Sequence, residues 1–307
     1  YILTKTKLYN RQSLVIFDEV QKCPEARQMI KHLVADGRYD YIETGSLISI
    51  NENVRNIVIP SEEIKINMYP MDFEEFLWAL NENEILDDIK ECYIKQIPLN
   101  DKNHKKASYL FRRYLIVGGM PDSVKAFVKS SFSYEKSDIE KKRILKLYFD
   151  DIHKIEYSYR TKLLTLFKNI PAILSRHDKR IVYDKIQKNS RSKSYIEPVF
   201  WLEDSKICNI CYMVSDPKTP LRLSIMENEF KVYLNDTGLL FTHAFTSGYF
   251  DKEDLYSQII TDNLHINEGM FVENVVAQTL VANGYDLLFY KHYNKAKHYD
   301  DMEIDFL

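Results

Sequence analysis

The chain has no GxxxxGK[ST] segment anywhere in its 307 residues, so it carries no glycine-rich loop of the kind that cradles phosphates in front of a helix. It also lacks an apolar run of membrane-spanning length and any stretch that reads as a signal peptide, which sets the expectation of a cytoplasmic protein with no membrane partner. Four scattered cysteines are too few for a disulfide framework. Cys208 and Cys211 form a CxxC, but no second pair or nearby histidine completes a zinc site, and the run from Ile207 to Val214 reads as a strand. An excess of one charge is missing as well: 42 basic against 45 acidic residues leave −3. Such a balance supplies no global attraction to nucleic acid, so any contact of that kind has to be local. What is present is a composition that is 45% hydrophobic, enough for a sizeable core shared among two or three domains.

Leu14-Val15-Ile16-Phe17-Asp18-Glu19 places four apolar residues before two adjacent carboxylates. This pattern suits a buried parallel strand that delivers Asp and Glu to the carboxyl edge of an α/β sheet, which is the Walker B arrangement of nucleotide hydrolases. The alternative is a helix start just past a buried strand, with both acids solvated. Pro24 then suits a first helical turn, and Ala26, Met29, Ile30, Leu33 and Val34 make one apolar stripe at helical spacing. After Asp36-Gly37 the segment Tyr39–Thr44 reads as a second strand that breaks at Gly45-Ser46. Strand, helix and strand over about thirty residues form a crossover unit with parallel strands, which brings Thr44 and Ser46 to the edge that holds Asp18 and Glu19.

Further along, Ile57–Ile59 and Ile64–Ile66 read as short extended segments, and Asp72 with Glu75 as a capping box ahead of the helix face Phe73, Phe76, Leu77 and Leu80. Residues 81–107 are charged, with a solvated loop expected from Asn100 to Lys106, and helices follow over 108–155. Their interruption at Gly118-Gly119-Met120-Pro121 is no phosphate loop, because Pro and Asp follow instead of Lys and Ser/Thr; it reads as a tight turn with Pro as helix initiator. Helices at 163–174 and 182–187, a polar turn at 189–194, a helix at 195–202 and strands at 207–214, 221–226 and 230–234 have the parts of a winged helix. Lys185, Lys188, Arg191 and Lys193 surround its recognition helix, where Arg191 and Lys193 are the candidate DNA-phosphate contacts; the alternative is a solvated loop.

The pairing of IFDEVQ with ETGS, followed by Met68–Leu77, Tyr114–Pro121, Lys231–Leu240, Glu273-Asn274 and Glu303–Phe306, resembles a family of prokaryotic AAA-type ATP-binding proteins with a C-terminal domain of unknown function. The resemblance spans nearly the whole chain. It implies that the Asp-Glu pair is Walker B, that Thr44-Gly45-Ser46 follows the sensor strand, that Arg55 is the arginine often found after it, and that PMDFEEFL leads into a helical lid. It further implies a restriction-endonuclease-like end in which a helix Glu, a strand Asp and a later Glu-x-Lys bind a metal; Glu273 and Asp305 match the first two positions.

The resulting expectation is an α/β chain: a partial P-loop AAA-type parallel sheet over 1–67, a helical lid over 68–147, a winged-helix part over 148–245 and a truncated nuclease-like part over 246–307. In the intact protein, ATP and Mg²⁺ are the expected cofactors. Asp18 would hold the metal, Glu19 would activate water, Thr44 or Ser46 would sense the γ-phosphate, and Arg55 would contact nucleotide. The phosphate-binding half is expected upstream of Tyr1, so the chain by itself is expected to be inactive. The alternatives are a DNA-binding module built on the winged helix and nuclease-like region, and a module that binds other protein subunits.

Overall fold

The computed structural model describes residues 7–45, 64–155, 157–182, 193–245, 252–261, 268–294 and 299–307, and the chain divides into two compact units, Tyr1–Met68 and Tyr69–Leu307. Ser46, Arg55, Ile57–Ile59, Lys185, Lys188, Arg191 and the turn from Asn189 to Ser192 lie outside the described residues. Among the described residues no helix is long and apolar enough to cross a membrane.

In the first unit, β1 (Leu14–Phe17) and β2 (Asp40–Glu43) pair in parallel, with Leu14 opposite Asp40 and Phe17 opposite Glu43. Between them run a 3-10 turn (Val20–Lys22) and α1 (Pro24–Asp36), which has Pro at its start, where the missing N–H costs nothing. Gly37 ends α1 with φ +68, the left-handed conformation in which glycine carries no Cβ penalty. Side chains alternate across the two-stranded sheet. Val15, Phe17 and Tyr41 are half-buried, whereas Leu14, Ile16 and Ile42 stay exposed at 50%, 58% and 47%. The apolar run predicts a buried strand; among the described residues one face of this pair is exposed.

The second unit begins with α2 (Phe73–Ala79), opened by the expected capping box: Glu75 N–H donates to Asp72 at 2.8 Å and Asp72 N–H to Glu75 at 3.0 Å. Helices α3 (Asn83–Lys95), α4 (Asp101–Val117), α5 (Pro121–Lys129), α6 (Tyr134–Lys154) and α7 (Tyr157–Leu174) follow. The solvated loop expected over Asn100–Lys106 is the first turns of α4. Asn100 accepts from Asn103 N–H at 2.9 Å and so caps a helix whose early turns present their charges to solvent.

The chain then forms β3 (Ile181–Val182), α8 (Lys193–Asp204), β4 (Cys208–Val214), β5 (Ile225–Leu234), α9 (Thr237–Ala244), α10 (Lys252–Ile260), α11 (Gly269–Ala282), β6 (Leu288–Asn294) and β7 (Tyr299–Ile304). Val182, expected to start a helix, is in a strand instead, opposite Glu229 of β5. The two strands expected over 221–226 and 230–234 are one: Leu221–Leu223 is a 3-10 turn, and the polar Glu227-Asn228-Glu229 between them lies inside β5. All five strands form one sheet in the order β3-β5-β4-β6-β7, antiparallel except for the β4–β6 pair. The β4–β5 hairpin is therefore not a separate wing but the middle of a sheet that continues into β6 and β7. The expected boundary after 245 divides strands of that sheet, and the one after 147 falls inside α6.

The double glycine is the seam of this unit. Tyr114 on α4 donates its hydroxyl to the Met71 carbonyl at 2.8 Å, and Met71 N–H donates to Gly119 at the same distance. A Cβ on Gly119 would overlap the Met71 carbonyl, and one on Gly118 (φ +74) would overlap the Asp236 carboxylate. That carboxylate, fully buried, accepts from Gly119 N–H at 2.5 Å and from Leu239 N–H at 2.8 Å, which makes it the cap of α9 as well. Burial pushes Asp236 above the usual carboxylate value, against the pull of these N–H groups and of the Lys141 ammonium.

Candidate functional sites

At the strand end of the first unit, Phe17 and Glu43 are opposite each other, so Asp18 and Thr44 emerge side by side. Thr44 N–H closes the ladder onto the Phe17 carbonyl at 2.9 Å. The Thr44 hydroxyl donates to Asp18 Oδ1 at 2.5 Å and accepts from Glu19 N–H at 3.2 Å. One side chain thus aims one carboxylate and ties down the backbone of the next. Glu19 takes a left-handed conformation (φ 55, ψ 50), which costs a residue with a side chain about 1–2 kcal/mol and is the sort of strain that accompanies functional turns. Asp18 and Glu19 are both exposed. Hard oxygen donors on a solvent-facing strand edge suit Mg²⁺, which binds through one or two carboxylates together with phosphate oxygens and water. Of the residues expected here, the structure joins Asp18, Glu19 and Thr44; Ser46 and Arg55 lie outside the described residues.

A second constellation lies in the five-stranded sheet. Lys231 stands in a wholly buried run of β5, Phe230–Leu234, and its ammonium meets Asp305 Oδ1 at 2.7 Å, Glu303 Oε1 at 3.0 Å and Glu273 Oε1 at 3.6 Å. The ring of Phe289 lies 4.9 Å from the same ammonium, a distance suited to a cation–π contact. Lys291 on β6 reaches the other oxygen of Glu303 at 3.3 Å and Asp178 at 3.5 Å. Glu273, on α11, also takes an ion pair from Lys179 and a hydrogen bond from the Tyr233 hydroxyl. Burial works to lower the Lys231 ammonium, but its bond to Asp305 and the fields of Glu273 and Asp305 outweigh it and hold the group above the ordinary lysine value. Burial, reinforced by Glu273, pushes the Tyr233 phenol up.

Glu273 and Asp305 were the two residues expected to converge here, and they do converge, on a lysine. Lys231, Lys291, Lys179 and Tyr233 were not expected as site residues. A usable signal was Lys231 itself, a charge inside an apolar strand run that has to be paired once buried. Lys193 opens α8, and its side chain lies outside the described residues. Cys208 and Cys211 are free thiols buried in β4, raised by burial. No group of three or more metal-type ligands occurs among the described residues.

Comparison with known families gives two matches: residues 1–77 to "AAA domain" and residues 108–248 to "Domain of unknown function (DUF8612)". No curated protein and no solved structure matches the chain. The first match contains the strand end with Asp18, Glu19 and Thr44, and the second contains the glycine seam and all of β4 and β5. Together these matches support an AAA-type protein with a C-terminal domain of unknown function.

Proposed function

We propose that the first unit supplies the metal-side half of an ATP site, with hydrolysis occurring in the intact protein. The observation that carries this reading is the Thr44 hydroxyl bound to Asp18 at the shared edge of two parallel strands. Asp18 would hold Mg²⁺, which would supply positive charge to neutralise phosphate when bound. Glu19, on its left-handed turn, polarises the attacking water. Thr44 keeps Asp18 in its rotamer and is placed to register the γ-phosphate, with Ser46 and Arg55 as its neighbours in sequence. These 307 residues hold no GxxxxGK[ST] segment to cradle the phosphates, so the reading is tested in a protein that joins this unit to such a loop. In that protein Glu19→Gln should lower turnover at least about 100-fold while nucleotide binding persists. Unchanged turnover would sink the assignment.

For the second unit, the four basic residues Lys185, Lys188, Arg191 and Lys193 within nine positions either form a solvated loop or meet a phosphate backbone, and DNA binding separates the two. Affinity for duplex DNA should fall with salt, and the double change Arg191→Ala, Lys193→Ala should reduce the log–log salt slope by about 1–2. Absence of binding at low salt would leave protein subunits as the partners of this region.

A further inference from the structure

The resemblance to nucleases implies a divalent metal between Glu273 and Asp305, and the residues present do not fit one. Both oxygens of Glu273 are engaged: Oε1 by the Tyr233 hydroxyl and the Lys231 ammonium, Oε2 by Lys179. Both oxygens of Glu303 are engaged too, one by Lys231 and one by Lys291. Asp305 gives Oδ1 to Lys231. Three ammonium groups therefore already face the three carboxylates that would have to become ligands. Adding a divalent ion would set it against the Lys231 ammonium, which is 1% exposed, and leave excess positive charge on that buried side of a centre whose Glu303 and Asp305 reach solvent. Metal centres of this type depend on carboxylate oxygens whose charge is not yet balanced.

We infer that Lys231 serves as the resident cation of this centre, fastening β7 and α11 to β5 in the place a divalent metal would occupy. Lys231 is only 1% exposed, and its partners come from two elements: Glu273 from α11, and Glu303 with Asp305 from the end of β7 and the residue after it. That is the geometry of a metal staple, with an ammonium as the central ion. It also gives Lys291 and Lys179 a role, as flanking charges that complete the neutralisation of Glu303 and Glu273.

The test is Mn²⁺ binding by the full chain, followed by electron paramagnetic resonance in the Asp18→Asn background, which removes the metal-holding carboxylate of the first unit and makes the outcome independent of the ATP reading. The expected result is no bound Mn²⁺ that depends on Glu273 or Asp305. Lys231→Met, which empties the centre of its ammonium, should create a Mn²⁺-dependent rise in melting temperature of about 2–4 °C at saturating ion. One Mn²⁺ bound to the Asp18→Asn protein and lost in both Glu273→Gln and Asp305→Asn would overturn the inference. So would a folded Lys231→Met protein that binds no Mn²⁺ at this centre. If Lys231→Met does not fold, the Asp18→Asn measurement decides alone.

Discussion

Asn274 spans both backbone polar groups of Leu234: its carbonyl accepts from the Leu234 N–H at 2.9 Å and its amide donates to the Leu234 carbonyl at 3.0 Å. A helix side chain thereby acts as one more rung on the last residue of β5. Four positions on, Gln278 repeats the device by accepting from Thr237 N–H at 2.8 Å and donating to the Tyr114 hydroxyl at 2.6 Å. The largely apolar α11 is thus placed in register with β5, α9 and α4 by two amides on one face.

Asn274→Ala leaves a buried N–H and a buried C=O without their partner. Each such loss costs about 1–3 kcal/mol, so the variant should lose about 2–6 kcal/mol, read from the shift of the urea unfolding midpoint with an unchanged slope. A loss below about 0.5 kcal/mol, the range of ordinary surface changes, would mean that water replaces the amide and that the register has another source.

Two glycines with positive φ separate steric crowding from backbone strain. Gly37 (φ +68) has open space where a Cβ would be, whereas Gly118 (φ +74) and its neighbour Gly119 would drive a Cβ into Asp236 and the Met71 carbonyl. Gly37→Ala should therefore cost about 1–2 kcal/mol from backbone conformation alone. Gly119→Ala, whose backbone has no such strain, should cost more than that, because Met71, Gly119 and Asp236 are locked by mutual hydrogen bonds and have no flexible end to give way. Equal losses measured by chemical unfolding would show that the seam between α4, α5 and α9 relaxes.

Lys231 gives a signature in pH. Its folded-state value is raised above the ordinary lysine value of 10.5, so its contribution is fully present below that value and is lost as pH rises through the higher folded value. Lys231→Met should cost about 3–5 kcal/mol near pH 8, the usual penalty for removing one partner of a buried ion pair. The difference between wild type and variant should then shrink above about pH 10.5. A difference that stays constant to pH 11.5 would mean that packing of the lysine stem carries the effect, with the charge contributing little.

Local features were readable before the fold was known. The capping box at Asp72 and Glu75 needs only residues three apart, and the β1–α1–β2 unit announces itself through the change from a short apolar run to helical periodicity and back. Asn100–Lys106 was misread because a helix turn that presents charges to solvent has the composition of a loop, and only the cap distinguishes the two. The partners of Lys231 were out of reach for a different reason. They lie 42 to 74 positions away, and their approach depends on β6 pairing in parallel with β4 and on β7 folding back beside it. Likewise β4 and β5 were legible as strands, whereas their place at the centre of a five-stranded sheet rests on pairings that no local pattern encodes.

The hydrogen bond from Gly119 to Asp236 joins positions 117 residues apart. At a synthesis rate of about 5–20 residues per second, the turn between α4 and α5 leaves the ribosome roughly 6–23 seconds before the carboxylate that completes it. Through that interval the Gly119 N–H has water, and not the Asp236 carboxylate, as its acceptor. This is a window in which a chaperone could bind, and in which a slower or faster stretch of translation over residues 120–236 would change the yield of folded protein.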